Sequence, residues 1–176
     1  MKLNRQHLII TALSILFTRS FSTYGQGIKT LEFLLGTWKV SEVIYPGTDK
    51  EFVETGTRTC SYFVADTYIQ CKTESTNKYR DRTYVMMINY EEEYEKYIVT
   101  TSFSDHDFQG IYHWYLDSAQ QTIQSISPMD PGVDEFYRGE ISIAEKELIW
   151  KGYKTPLRIE KIWEDLYIET STKVSR

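Results

Sequence analysis

The chain carries none of the short signatures that mark a hydrolase, a nucleotide site or a metalloprotease. There is no H-E-x-x-H, no G-x-S-x-G, no Walker loop and no G-x-G-x-x-G, and no N-x-S/T acceptor either. No catalytic residue and no metal-ligand set can therefore be named, and no cofactor is specified. Basic clusters are missing too. The short stretch Lys78, Arg80, Arg82 is interrupted by Asp81 and reads as a solvated hairpin rim. Nucleic acids and anionic lipids need clustered Lys and Arg, so both are poor partners for this chain. The N-terminal apolar run, Leu8 to Phe17, is ten residues long, short of the roughly 20 that span a bilayer as a helix. The two cysteines form no C-x-x-C, which argues against a redox centre.

That apolar run has another reading. Lys2 and Arg5 precede it, small or polar residues follow it, and Thr23 and Gly25 stand before a cut at Gln26. A basic start, a short apolar core and a small-residue exit make a secretory signal peptide, residues 1–25. No cysteine follows the run closely, which argues against a lipoprotein anchor. Cleavage would remove three cations and no acid, taking the formal net charge from -5 to -8. The expected product is an exported (periplasmic or extracellular) domain, residues 26–176, of a size that suits a monomer or weak dimer.

Aromatic residues are abundant: 15% of the chain, with 14 tyrosines spread along it. Tyrosine favours strands and half-wet surfaces, so the composition leans towards β structure. From Trp38 onward, alternating runs and tight turns follow one another, giving nine or ten strands. One face of the first strand carries Trp38, Val40 and Glu42. Phe52 to Val64 and Thr67 to Glu74 form a hairpin whose turn at Ala65-Asp66 pairs Tyr62 with Ile69 and places Cys60 opposite Cys71. Export permits a disulfide there, and facing positions can be bridged at non-hydrogen-bonded pairs. Two free thiols on one face are the alternative. Towards the C-terminus, Leu157 to Trp163 reads as a strand and Glu164-Asp165 as a two-residue turn into the last one.

Uniformly short connections favour an antiparallel up-and-down barrel of about eight to ten strands, a closure that removes exposed edges. A barrel needs its end filled, and the apolar helical turn Leu31 to Leu35 is available for that.

The octet L-E-F-L-L-G-T-W, Leu31 to Trp38, resembles the G-x-W opening of lipocalin-like (calycin) barrels. The run I-N-Y-E-E-E-Y-E-K-Y-I-V-T-T-S-F-S-D and the F-Q-G-I-Y-H-W-Y-L-D that follows resemble a bacterial domain-of-unknown-function family, number fifteen-seventy-nine, with Asn89 and Glu91 where that family has Gly and Asp. The resemblance implies a lipocalin-like barrel in which Gly36 and Trp38 are structural. It also implies that Trp38 lies across the barrel floor, under a basic side chain from a late strand: Arg158, or its rival Arg138. The family brings no catalytic residues.

Pleating puts Ile111, His113 and Tyr115 on one face of their strand and Tyr112, Trp114 and Leu116 on the other. With the first set inward, His113 and Tyr115 would line the interior together with Tyr84, Arg138 and Glu42. These five are the candidate ligand-binding residues. His113 could then orient a ligand, exchange protons, or hold haem as in barrels of the nitrobindin type. Asp105-His106-Asp107 and Glu91 to Glu93 read as solvated loops. Arg158, Glu160 and Glu169 read as an exposed charge ladder on the final hairpin, with a catalytic acid pair as the sharper alternative. The expected function is binding of a small, partly apolar ligand inside the barrel, with haem binding or a barrel-lined hydrolase or isomerase as alternatives.

Overall fold

A computed structural model describes residues 26–64, 66–105, 109–128, 135–156 and 163–174. Within them, ten antiparallel strands form a closed lipocalin-like barrel in which each strand pairs with its sequence neighbours and the last returns to the first. The strands are β1 (Gly36–Ile44), β2 (Phe52–Phe63), β3 (Tyr68–Thr76), β4 (Asp81–Glu91), β5 (Lys96–Phe103), β6 (Gln109–Asp117), β7 (Thr122–Ile126), β8 (Glu135–Ala144), β9 (Glu147–Pro156) and β10 (Glu164–Lys173). Their sequences alternate, so one side of each strand fills the interior and the other meets solvent. No helix among the described residues is long and apolar enough to cross a membrane.

One end is plugged. A four-residue helix, α1 (Gln26–Lys29), leads into a 3-10 turn, Glu32–Leu34. Ile28, Leu31 and Leu34 recur at helical spacing and are all buried, Leu31 completely. The plug thus begins a turn earlier than the apolar octet suggests, and Tyr97 Oη pins its start by donating to the Gly27 carbonyl at 2.7 Å. Gly36 then takes φ +108°, a conformation costly for any other residue, and turns the chain into β1. Trp38 follows with its ring across the floor. Its Nε1 donates to the Leu34 carbonyl at 2.8 Å, and Lys173 Nζ lies 5.1 Å from the ring centroid. Lys173 also donates to the Phe33 carbonyl at 3.0 Å.

The basic partner of Trp38 is therefore Lys173, at the end of β10. Arg138 sits over Tyr153 and Trp163 instead, 5.1 and 4.1 Å from their centroids. Arg158 lies outside the described residues.

Cys60 and Cys71 face each other in the β2–β3 register with Cα atoms 4.1 Å apart, and they are bonded. That close approach is the mark of a non-hydrogen-bonded pair. Both cysteines point inward beside the floor. Closing so short a loop is worth about 2–3 kcal/mol in the chain-entropy account.

The final hairpin differs from the sequence reading. Glu164 and Asp165 are not a turn but the first residues of β10, opposite Lys154 and Tyr153 of β9, with a bulge before Tyr167. Residues 157–162, expected as a strand, lie outside the described residues.

Candidate functional site

The register decides what the barrel encloses. In β6, Trp114 stands opposite inward Tyr97 of β5 and inward Ser125 of β7. It is 1% exposed, while Ile111 and Tyr115 are 49% and 41% exposed. The face with Tyr112, Trp114 and Leu116 points in, and the face with His113 and Tyr115 points out. Neither His113 nor Tyr115 lines the interior, which corrects that expectation and leaves His113 unable to reach a haem held inside the barrel. The physical reason is size and polarity. Burying two tryptophans edge to face, Trp114 and Trp150 with centroids 5.4 Å apart, gains more apolar area than burying an imidazole. Partial burial and nearby Lys96 hold the His113 pKa below its ordinary range.

Above the floor lies a layer of charge. Glu54 of β2, Glu42 of β1 and Glu169 of β10 are directly opposite one another across three adjacent strands, and all point inward. Like charges in that register repel. Two arginines compensate. Arg58 of β2 grips Glu169 with both terminal nitrogens, at 2.8 and 2.6 Å. It also donates to Tyr84 Oη at 2.6 Å and to Thr73 Oγ1 at 3.0 Å. Ser171 donates to Glu169 as well, at 2.7 Å. Burial would raise the Glu169 pKa, but the Arg58 guanidinium outweighs it and holds the carboxyl below its ordinary value. Burial alone would lower the Arg58 pKa, and Glu169 reverses that and raises it. Tyr84 is pushed up, chiefly by burial.

Arg82 of β4 serves the other two carboxylates. Its Nε donates to Glu54 Oε1 at 2.8 Å and its Nη2 to Glu42 Oε2 at 2.9 Å. Arg82 is thus an interior group with its guanidinium near the Tyr84 ring, not part of a solvated rim. Arg80, its neighbour on that stretch, pairs with Asp105 at 2.7 Å, and the Asp105 side chain is largely buried rather than solvated. Glu54 is well served, since Ser75 Oγ and Asn77 Nδ2 donate to it too. Glu42 is not. Among the described residues its one side-chain hydrogen bond comes from Arg82, to Oε2, and the residue lines the cavity. Burial, then the charge of Glu169, raises the Glu42 pKa from 4.5 to about 7, with Arg82 pulling the other way.

Over this layer opens a cavity of about 410 Å³, within the usual size for a small-molecule site. Met86, Phe103, Tyr112, Trp150 and Tyr167 wall it, and Tyr45, Phe52, Tyr137, Arg138 and Tyr153 stand around its mouth. Gly152 makes room for that wall, since a Cβ there would come within 2.2 Å of the Tyr167 ring. Of the five candidate ligand-binding residues, Glu42, Tyr84 and Arg138 lie on the cavity surface. Glu169 is no exposed ladder residue: it is 2% exposed and bound to Arg58, while Arg158, Glu160 and His106 lie outside the described residues. Sequence reasoning missed Arg58, Glu54 and Arg82 as interior groups. The available signal was parity: Glu54, Arg58 and Cys60 share one face of β2.

Glu42 gives the barrel a pH dependence. Its carboxyl holds a proton more tightly in the folded protein than in the unfolded chain, so the folded state binds the extra proton between 4.5 and about 7. Stability from this group is full below that window and falls as pH rises through it. Glu169 acts oppositely, its contribution being lost as pH falls below the ordinary carboxyl range. Glu42→Gln is therefore expected to flatten the decline between about pH 5 and pH 8 and to add about 1–3 kcal/mol at the upper end. Urea titrations across that range check it. An unchanged slope would mean that Glu42 is ionised throughout.

Neither a protein-family profile nor a curated protein sequence matches the chain. Solved structures do. An S-type phycobiliprotein lyase, CPES from Guillardia theta, superposes with a TM-score of 0.59 at 10% identity, covering 84% of this chain and 92% of the other. Rv2717c from M. tuberculosis superposes with a TM-score of 0.59 at 9% identity, covering 85% of this chain and 98% of the other. At such identities the likeness is one of architecture: the chain has the closed ten-strand, lipocalin-like barrel of these proteins.

Proposed function

We propose that this protein is an exported binding module, residues 26–176, that takes a small, partly apolar molecule into its barrel. The observation that carries the reading is the cavity of about 410 Å³, with aromatic walls above a charged layer. A barrel filled by its own side chains would leave no such volume. Glu42, Tyr84 and Arg138 are the proposed contacts. One solved neighbour of the same architecture is a phycobiliprotein lyase, an instance of this barrel put to use on another molecule. Export is supported by the basic–apolar–small pattern of residues 1–25 and by the buried disulfide. Membership of the domain-of-unknown-function family fifteen-seventy-nine rests on the order of the motifs around Asn89 and Trp114.

Titration with the uncharged apolar dye N-phenyl-1-naphthylamine tests the binding reading. One dye per chain is expected, with Tm raised by about 5–10 °C at a hundredfold excess over Kd. Thr101→Trp, which fills the cavity from β5, is expected to abolish binding while the fold persists. A wild-type protein that takes up no apolar probe would refute the reading.

A second reading, proton-transfer catalysis, is favoured by one observation: Glu42, with its pKa near 7, stands in the cavity beside Arg82. It predicts that Glu42→Gln abolishes turnover of a cavity-bound substrate without loss of dye binding.

A further inference from the structure

The three carboxylates and two guanidiniums beneath the cavity do not balance, and the imbalance has a location. Arg58 is committed to Glu169 by two hydrogen bonds below the cavity. Arg82 divides itself between Glu54 and Glu42. Glu54 takes hydrogen bonds from three side chains. Glu42 takes one, on Oε2, although its side chain is 9% exposed, and it lines the only large volume bordered by the layer among the described residues. A buried carboxylate keeps its charge only with partners. Without a ligand Glu42 can hold a proton instead; once ionised it lacks a second donor, and the cavity it lines has the room to supply one.

We infer that the ligand enters with an organic ammonium group leading, and that this group completes the hydrogen bonding of Glu42 while the aromatic wall holds the apolar remainder. The inference rests on the ligand-binding reading and names the head group that reading leaves open. An anionic head at the layer would meet three carboxylates with Arg82 already engaged; of the other arginines lining the cavity, Arg80 is paired with Asp105, and Arg138 stands at the mouth over Tyr153 and Trp163. A compact metal ion would find one free carboxylate oxygen and aromatic faces, too few hard ligands. An ammonium finds both an acceptor and ring faces suited to a cation, notably Tyr112, Trp150 and Tyr167.

Ionisation of Glu42 also couples binding to pH. The groups facing it are Glu169 and Tyr167 from β10, Glu54 and Arg58 from β2, and Arg82 and Tyr84 from β4. Of these, the two arginines stay charged and both tyrosines stay protonated near neutral pH. Ammonium affinity is therefore expected to rise with pH as Glu42 loses its proton, and binding releases a proton.

Three probes that differ only in the terminal group decide the matter: 4-phenylbutylamine, 4-phenylbutan-1-ol and 4-phenylbutyrate, titrated calorimetrically into wild type and Glu42→Gln. The amine is expected to bind about 10–100-fold tighter than the alcohol, the range of a charge-assisted hydrogen bond. Its affinity should be about tenfold greater at pH 8 than at pH 6, with no such slope for the alcohol. In Glu42→Gln the preference and the slope both vanish while the alcohol still binds. If the alcohol or the carboxylate binds wild type as tightly as the amine, the ammonium assignment is wrong and the cavity reading stands. The same holds if the amine preference survives in a folded Glu42→Gln, or if only the naphthylamine dye binds. If neither the probes nor the dye bind, both readings fall together.

Discussion

Replacing Arg58 with alanine is expected to cost about 3–5 kcal/mol, a large share of the stability of a domain this size. The loss follows from what stays behind. Glu169, 2% exposed and facing Glu42, would keep hydrogen bonds only from Ser171 and Tyr84 and would have to bury an unpaired charge or take up a proton. Tyr84 and Thr73 would lose the guanidinium they receive from. The double variant Arg58→Met with Glu169→Leu removes both charges together and is expected to recover most of the loss, because desolvating the pair is itself expensive. Denaturant titrations of the two singles and the double make a complete cycle. A single variant within about 0.5 kcal/mol of wild type would mean that water or another cation reaches Glu169.

Trp38→Ala is the second large effect, with an expected cost of about 3–5 kcal/mol. It opens a hole at the floor between Leu34, the disulfide and Leu148, and it removes the Nε1 hydrogen bond that ties the plug to β1. Lys173 loses the ring beneath it. The ligand cavity lies on the far side of the charged layer, so the variant should bind the naphthylamine dye with a Kd within about threefold of wild type wherever it is folded, a shift of under 1 kcal/mol. Guanidinium unfolding followed by dye titration separates the two quantities. A Trp38→Ala protein of full stability would show that the ring does not seal the floor.

The barrel was legible because alternation is a local signal. Turn residues between Trp38 and Thr172 marked most strand ends, and the mirror placement of Cys60 and Cys71 about the Ala65-Asp66 pair was enough to set the β2–β3 register. The interior was less legible because strand parity offers two faces and composition does not always choose. In β6 both faces are aromatic, so His113 and Trp114 were equally placed until β5 and β7 fixed the register. In β2 and β10, polar residues at inward positions looked like solvent-facing ones. Arg58 and Glu169 are 111 residues apart, and nothing local to either announces the other. The last hairpin misled for a related reason: Glu164 and Asp165 have turn chemistry, yet β9 provides Lys154 and Tyr153 to pair with them.

Closure through β10 also dictates the order in which this molecule can be completed. The β2–β3 hairpin is local and can form and cross-link early. β1 cannot satisfy its second edge until residues 164–173 arrive, and β9 waits for the same strand. Arg58 waits too, because its counter-ion travels on that strand. Bringing such distant segments together carries a loop entropy that is recovered only on docking. A chain lacking a docked β10 thus presents two open strand edges and a stranded charge, the features that expose an unfinished barrel to aggregation and proteolysis.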